Sequence, residues 1–128
     1  MSEKFTVEII TPDSSILKTD ASEVVIPSYE GDMGILKDHI SLITFLRPGL
    51  IKIINESEKK FFVEEGTVEF SNNNLLILTS TVKNIENLDK NSIDTIIRRS
   101  EEQMNKDNIS DKEKYLLAYK VNTLKEIN

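Results

Sequence analysis

The stretch KFFVEEGTVEFSNNNLLILT at residues 60–79 is the part of the sequence that most directly decides the fold. Two apolar runs, residues 67–70 and 75–79, flank the polar segment 71–74, which consists of one serine and three asparagines. Asparagine tolerates the left-handed backbone conformation that tight hairpins require, so this segment predicts a turn between two strands. A third run at residues 60–64 precedes the hairpin, and together the three runs predict antiparallel β structure.

The same pattern extends toward the N-terminus. Phe5, Val7 and Ile9 alternate with polar residues, which predicts a strand with one face against a core. Further strands are predicted at residues 23–26, 40–45 and 50–54, with Gly-, Pro- or Asn-rich breaks between them. Short strands at such regular spacing are typical of a sandwich or a barrel.

The pattern changes after the last predicted strand, where segments rich in Lys, Glu, Asp and Asn place apolar residues at helical spacing. One helix is predicted to begin near Asn91 and a second near Asp111. Ser110 and Glu113 match a capping box, in which the hydroxyl and the carboxylate each accept a hydrogen bond from a free backbone amide. Because only residues 105–109 separate the two helices, they are expected to form an antiparallel hairpin.

The predicted fold is therefore mainly β, with an N-terminal antiparallel β-sandwich over residues 1–86 and a C-terminal two-helix antiparallel hairpin over residues 87–128. Hydrophobic residues form 38% of the 128 residues and charged residues 30%, as in ordinary globular proteins. The sequence has no cysteine and one histidine, which leaves little for a thiol nucleophile or a transition-metal site. A net charge of -6 disfavours binding to nucleic-acid phosphates or anionic lipid surfaces. The composition thus predicts no cofactor and no nucleic-acid partner. No apolar run approaches the roughly 20 residues that a transmembrane helix needs, which predicts no direct membrane insertion.

Three segments carry a family resemblance. VIPSYEGDMGILKDHISL at residues 25–42 resembles the pattern V-x-P-x-x-E-G-x-x-G-V-L-x-x-H-x-P-L of epsilon subunits of F-type ATP synthases. LRPGLI at residues 46–51 and FVEEGTVEF at residues 62–70 are similar to the family's L-K-P-G-x-x and V-x-G-G-x-x-E-V motifs. Ser41 and Glu65 depart from the family's usual Pro and Gly. The similarity extends in order over roughly residues 5–88.

The resemblance implies a non-catalytic central-stalk subunit, or rotor subunit, of a proton-translocating enzyme complex, attached peripherally at the cytoplasmic face of the inner membrane. Its sandwich would grip the gamma subunit and rest on the c-ring. Glu30, Asp32 and His39 are the candidate partner-binding residues, with Asp32 and His39 expected at the two ends of a tight loop that contains Gly31 and Gly34. The alternative that His39 only satisfies local backbone groups stays open. In the family, the extended hairpin blocks rotation during ATP hydrolysis, and contacts of this hairpin with alpha and beta subunits stay open.

The residues favour neither ATP binding, nor a free-standing ligand-binding module, nor a carboxylate-dependent enzyme. Some family members bind ATP through an I/L-D-x-x-R-A motif, but here Arg98 comes one residue late after Asp94, which turns it by about 100° on a helix. A free-standing ligand-binding sandwich, such as a carbohydrate-binding module, would need an exposed aromatic platform, and aromatic residues form only 6% of the chain. A carboxylate enzyme would need converging acidic groups, and the adjacent pair Glu64 and Glu65 is expected to point to opposite faces of a strand.

Overall fold

The computed structural model describes residues 3–127, which form ten β-strands, one 3-10 turn and two α-helices. The strands are β1 (Phe5–Ile10), β2 (Ser15–Ala21), β3 (Glu23–Ser28), β4 (Gly31–Leu36), β5 (Leu42–Leu46), β6 (Gly49–Ile54), β7 (Glu58–Val63), β8 (Gly66–Ser71), β9 (Asn74–Leu78) and β10 (Val82–Asn84). The 3-10 turn covers Ile85–Asn87, and the helices are α1 (Lys90–Met104) and α2 (Asp111–Ile127). Asn128, the last residue of the predicted helical segment, lies outside the described residues.

The strands form one curled sheet in the order β10-β7-β6-β3-β5-β8-β9-β1-β2, and β4 pairs with β3 away from this path. β3 and β5 are paired only through Ser28 and Leu46, so the sheet is nearly interrupted between these two strands. This interruption separates the sheet into two halves. We call β10, β7, β6, β3 and β4 the helix-side sheet, and β5, β8, β9, β1 and β2 the open-side sheet. Their inner faces share one apolar core, as expected from the alternation at Phe5, Val7 and Ile9.

The predicted sandwich with a C-terminal helical hairpin is confirmed. Asn72 and Asn73 both adopt positive φ angles, of 50° and 59°, in the turn between β8 and β9. One pairing is parallel, however, because β1 lies beside β9. These strands are distant in the sequence, so no local turn signal indicated their pairing.

Three strands were missed, namely β2, β4 and β10. The loop predicted around Gly31 and Gly34 is wrong, because β4 pairs with β3 throughout, with Gly34 opposite Val25. Glycine usually weakens strands, which is why a loop was expected there. Here the tight turn is confined to Tyr29 and Glu30, which precede the strand.

Both helices begin with side-chain caps. The backbone amide of Ser92 donates a 2.7 Å hydrogen bond to a carboxylate oxygen of Asp89, and this bond lowers the pKa of Asp89 below its ordinary value of 3.8. At α2 the amide of Glu113 donates to the Ser110 hydroxyl at 3.1 Å, and that hydroxyl lies 3.4 Å from the Glu113 carboxylate. The predicted cap by the Ser110 hydroxyl is therefore confirmed, but the Glu113 carboxylate accepts from that hydroxyl and not from a free amide as the capping box predicted.

The helical hairpin packs on the outer face of the helix-side sheet. Phe62 of β7 points away from the sandwich core and is 3% exposed beneath Ile93, Val121 and Leu124. Lys120 adds an ion pair with Glu64 at 2.5 Å. The predicted domain boundary between residues 86 and 87 falls within the 3-10 turn, and the division into two domains stays a prediction.

Candidate partner-binding surfaces

The outer face of the open-side sheet carries an apolar surface that the rest of the described chain leaves largely exposed. The register aligns Phe45 with Thr67 and Thr67 with Leu78, and in the next row it aligns Ile43 with Glu69. Ile43 is 72% exposed, Phe45 61% and Leu78 44%. We call the surface formed by Ile43, Phe45 and Leu78 the bare face.

The outer faces of the two sheets differ in whether their apolar side chains are covered. On the helix-side sheet, Phe62 is covered by the hairpin, whereas Phe45 on the open-side sheet is left in water. Single exposed apolar side chains are normal on a protein surface, but several on one face of a sheet indicate an interaction surface. The bare face is therefore the strongest candidate for binding another protein.

The turn between β3 and β4 presents acidic groups at one end of the sandwich. The Ser28 hydroxyl donates to the carbonyl of Gly31 at 2.6 Å and lies 3.3 Å from the backbone amide of Glu30, from which it accepts a hydrogen bond. Gly31 has a φ of 123°, a conformation that side chains disfavour. Glu30 and Asp32 are both exposed around this braced turn.

Arg47 connects this end of the sandwich to α2. Its backbone amide donates to the carbonyl of Pro27 at 2.9 Å, which fixes the base of the side chain. Its guanidinium lies 3.6 Å from the Asp32 carboxylate and 4.2 Å from the centre of the Tyr119 ring, a cation–π arrangement. The Arg47 side chain is only 11% exposed, and its Nε atom is buried with no hydrogen-bond partner among the described residues.

His39 lies at the opposite end of β4. It follows a turn in which Asp38, with a φ of 66°, exchanges hydrogen bonds of 2.7 and 2.9 Å with the Asn73 side chain. The His39 ring contacts the carbonyl oxygen of Ile40 at 2.7 Å and packs edge-on against Phe70. Since a strand rises about 3.3 Å per residue, β4 keeps Asp32 well over 10 Å from His39. The structure thus brings Glu30 and Asp32 together but leaves His39 apart from them.

The other candidate sites do not assemble. Glu64 pairs with Lys120, while Glu65 accepts hydrogen bonds from Ser80, so these two carboxylates face different partners and form no dyad. Within residues 3–127, no three His, Asp or Glu side chains cluster as metal ligands. The same residues contain no helix that is long and apolar enough to cross a membrane. Asp94 and Arg98 are exposed on α1, and the expected lack of tight ATP binding stays a prediction.

Sequence reasoning missed the bare face and the Arg47 contact. A signal for the bare face existed, because Ile43 and Phe45 alternate with Leu42 and Leu46, and a strand with apolar residues on both faces needs cover on both. Arg47 gave no comparable signal, since its contact with Tyr119 joins residues that are distant in sequence and in different elements.

Comparison with known proteins agrees with this architecture. Residues 4–85 match the family model described as ATP synthase, Delta/Epsilon chain, beta-sandwich domain. A chain of the Euglena gracilis mitochondrial ATP synthase OSCP/F1/c-ring structure is similar in fold, with a TM-score of 0.79 and 16% identity over 96% of this chain and 80% of that one. A chain of the Tetrahymena thermophila mitochondrial ATP synthase central stalk/c-ring structure has a TM-score of 0.65 and 21% identity, covering 98% and 96%.

The sandwich and its family match define a chain of the ATP synthase delta/epsilon class. Among curated relatives, the ATP synthase epsilon chain of Pelagibacter ubique is 50% identical over the full length of both chains. The epsilon chain of Parvibaculum lavamentivorans is 30% identical over 99% of this chain and 97% of its own. The protein belongs to the ATP synthase epsilon chain family. The prediction of a non-catalytic stalk subunit of the F-type ATP synthase is thereby confirmed, and the free-standing ligand-binding module is set aside.

Proposed function

We propose that this protein couples the gamma subunit to the c-ring in the rotor of a proton-translocating F-type ATP synthase. The observation that carries the proposal is the bare face, which offers Ile43 and Phe45 to a partner from a rigid sheet. Burial of such side chains supplies the main free energy of protein association. The function requires binding and transmission of torque, and none of its steps makes or breaks a covalent bond.

The gamma subunit is the proposed occupant of the bare face. Its matching surface would present apolar side chains opposite Ile43, Phe45 and Leu78, with cationic groups facing Glu69 and Glu8 in the flanking row. His39 lies beyond the end of this sheet and is proposed to contact gamma as well. Contacts spread over a sheet of this kind hold two proteins at a fixed angle, as coupling requires.

The c-ring is the proposed partner of the opposite end, where Glu30 and Asp32 flank the braced turn. A turn presents charged groups without disturbing the sheet core. This placement orients the sandwich between gamma and the ring, peripheral to the cytoplasmic face of the inner membrane. Replacement of Asp32 by Asn should weaken proton-coupled ATP synthesis while the protein stays folded, and unchanged coupling would refute the c-ring contact.

Affinity isolation of the tagged protein from its own cells, followed by mass spectrometry, tests the proposed assembly. Gamma and c subunits should be recovered with the wild type. The Ile43→Ser, Phe45→Ser double variant should no longer recover the gamma subunit. A matched control is Ile16→Ser, which changes an exposed apolar residue on β2 instead. Recovery of the wild type without any synthase subunit would overturn the proposal.

A second role, restraint of ATP hydrolysis by the hairpin, is favoured by one observation. Residues 111–115 at the start of α2 are exposed, and the buried residues of this helix, Val121, Thr123 and Leu124, all lie in its C-terminal half. A helix held along half its length can separate from the sandwich and contact alpha or beta subunits. Removal of residues 90–128 should raise hydrolysis by the assembled complex at most a few-fold. A much larger rise would show that the hairpin restrains hydrolysis strongly.

A further inference from the structure

We propose that Arg47 couples the acidic turn to the hairpin, so that occupation of Asp32 by a cationic partner group weakens the docking of α2 on the sandwich. The part that concerns the c-ring rests on the proposed function, whereas the coupling itself is a property of this chain alone. The contacts that carry it are the ion pair of Arg47 with Asp32 and the cation–π contact of Arg47 with Tyr119. We call these three residues the Arg47 link.

Arg47 lies between the exposed carboxylate of Asp32 and the aromatic ring of Tyr119 on α2. Asp32 is 68% exposed and therefore accessible to a partner, while Arg47 is nearly buried between it and α2. Tyr119 lies on α2, one residue before the ion-paired Lys120 and two before the buried Val121. Only the Arg47 side chain therefore separates the exposed carboxylate of Asp32 from the interface between α2 and the sandwich.

The direction of the effect follows from the charge balance around Arg47. A nearly buried guanidinium is stable only while a negative group compensates it, and its Nε atom already lacks a partner among residues 3–127. If a partner cation occupies Asp32, the charge of Arg47 is no longer compensated there. The Arg47 side chain then has a lower free energy in water than in its nearly buried position. Its movement into water breaks the contact with Tyr119.

The Arg47 link lines a small cavity of about 270 Å³ together with two further charged groups. These groups determine whether movement of Arg47 weakens or strengthens the docking of α2. Lys52 adds positive charge from the sandwich, which increases the need for Asp32. Glu126 lies on α2, so a shift of Arg47 toward Glu126 would strengthen docking instead. The two directions give opposite experimental results.

Cysteine labelling measures docking without interference, because the sequence contains no cysteine. Thr123→Cys places a thiol of similar size on the docked face of α2, where Thr123 is 9% exposed. Val68→Cys places one in the sandwich core, where only global unfolding exposes it. Rapid closing makes each labelling rate proportional to the population of the open state, so the first probe reports undocking and the second reports unfolding.

In the full-length protein, Asp32→Asn should accelerate labelling at position 123 about fivefold, and labelling at position 123 should stay faster than labelling at position 68. With Met in place of Arg47, the same Asp32→Asn substitution should have no effect, which separates coupling from a general loss of charge. Glu30→Gln is the matched control on the same turn. Unchanged or slower labelling in Asp32→Asn, or an equal acceleration when Arg47 is absent, would overturn the coupling.

Addition of purified c-ring in detergent then tests the partner. Labelling at position 123 should accelerate in the wild type and not in Asp32→Asn. Failure of the c-ring to bind the wild type would count against the proposed function, while the result in the isolated protein would still stand. Binding of the c-ring without faster labelling would overturn the inferred link between ring contact and hairpin release.

Discussion

Replacement of Phe62 by Ala tests how the hairpin is attached to the sandwich. Phe62 is 3% exposed and packs in one apolar cluster with Ile93, Val121 and Leu124 of the hairpin. Burial of a phenylalanine removes on the order of 150 Å² of apolar surface from water, worth about 4 kcal/mol at roughly 25 cal/mol per Å². The remaining methyl group and partial collapse of the site reduce the expected loss of docking free energy to about 3 kcal/mol.

A loss of this size corresponds to roughly a hundredfold larger undocked population, since about 1.4 kcal/mol is tenfold. Labelling of Thr123→Cys should therefore accelerate about a hundredfold in Phe62→Ala, and it should stay faster than labelling of Val68→Cys, which requires unfolding of the sandwich. Phe45→Ala is the matched control, because Phe45 is 61% exposed on the other outer face and its loss should cost under about 0.5 kcal/mol. Equal labelling rates at positions 123 and 68 would refute the prediction that the hairpin undocks while the sandwich stays folded.

Other predictions concern the helix caps. Ser110→Ala should destabilise α2 by about 1 kcal/mol and Ser110→Asp should restore most of it, as read from thermal unfolding by circular dichroism, because the cap amide of Glu113 needs an acceptor. Equal melting of the two variants would contradict the capping role. Since the hydrogen bond from Ser92 lowers the pKa of Asp89 in the folded state, the stabilisation by this carboxylate is complete above pH about 4 and disappears as the pH falls through the lowered pKa. Asp89→Asn should remove this contribution to acid unfolding, and an unchanged pH profile would show that Asp89 does not contribute.

The sequence predicted the parts of this structure that depend on local signals. The alternation in β1, the Asn72–Asn73 turn and the Ser110 cap each involve residues within a few positions of one another. β4 was misread because its glycines suggest a loop, and only its pairing with β3 makes it a strand. Edge strand β10, three residues long, is too short for a periodic pattern to appear.

The candidate sites likewise include residues that a local motif indicates and contacts that depend on the tertiary structure. Glu30 and Asp32 could be selected from a family motif, but their separation from His39 depends on the length of β4. The proximity of Arg47 to Tyr119 depends on how α2 crosses the sandwich, and no local pattern encodes that crossing. The covered and uncovered outer faces became distinguishable only once the hairpin was placed on Phe62.

The binding of purified gamma subunit to the wild type and to the Ile43→Ser, Phe45→Ser double variant is the measurement that tests the central claim most directly. Titration calorimetry should show at least about a hundredfold weaker binding by the double variant, since two exposed apolar anchors are worth about 1.5 kcal/mol or more each in an interface. Its thermal unfolding should match that of the wild type, because both side chains are already exposed to water. Equal affinity of the two proteins for gamma would contradict the account, since the bare face would then not be the surface that joins this protein to the rotor.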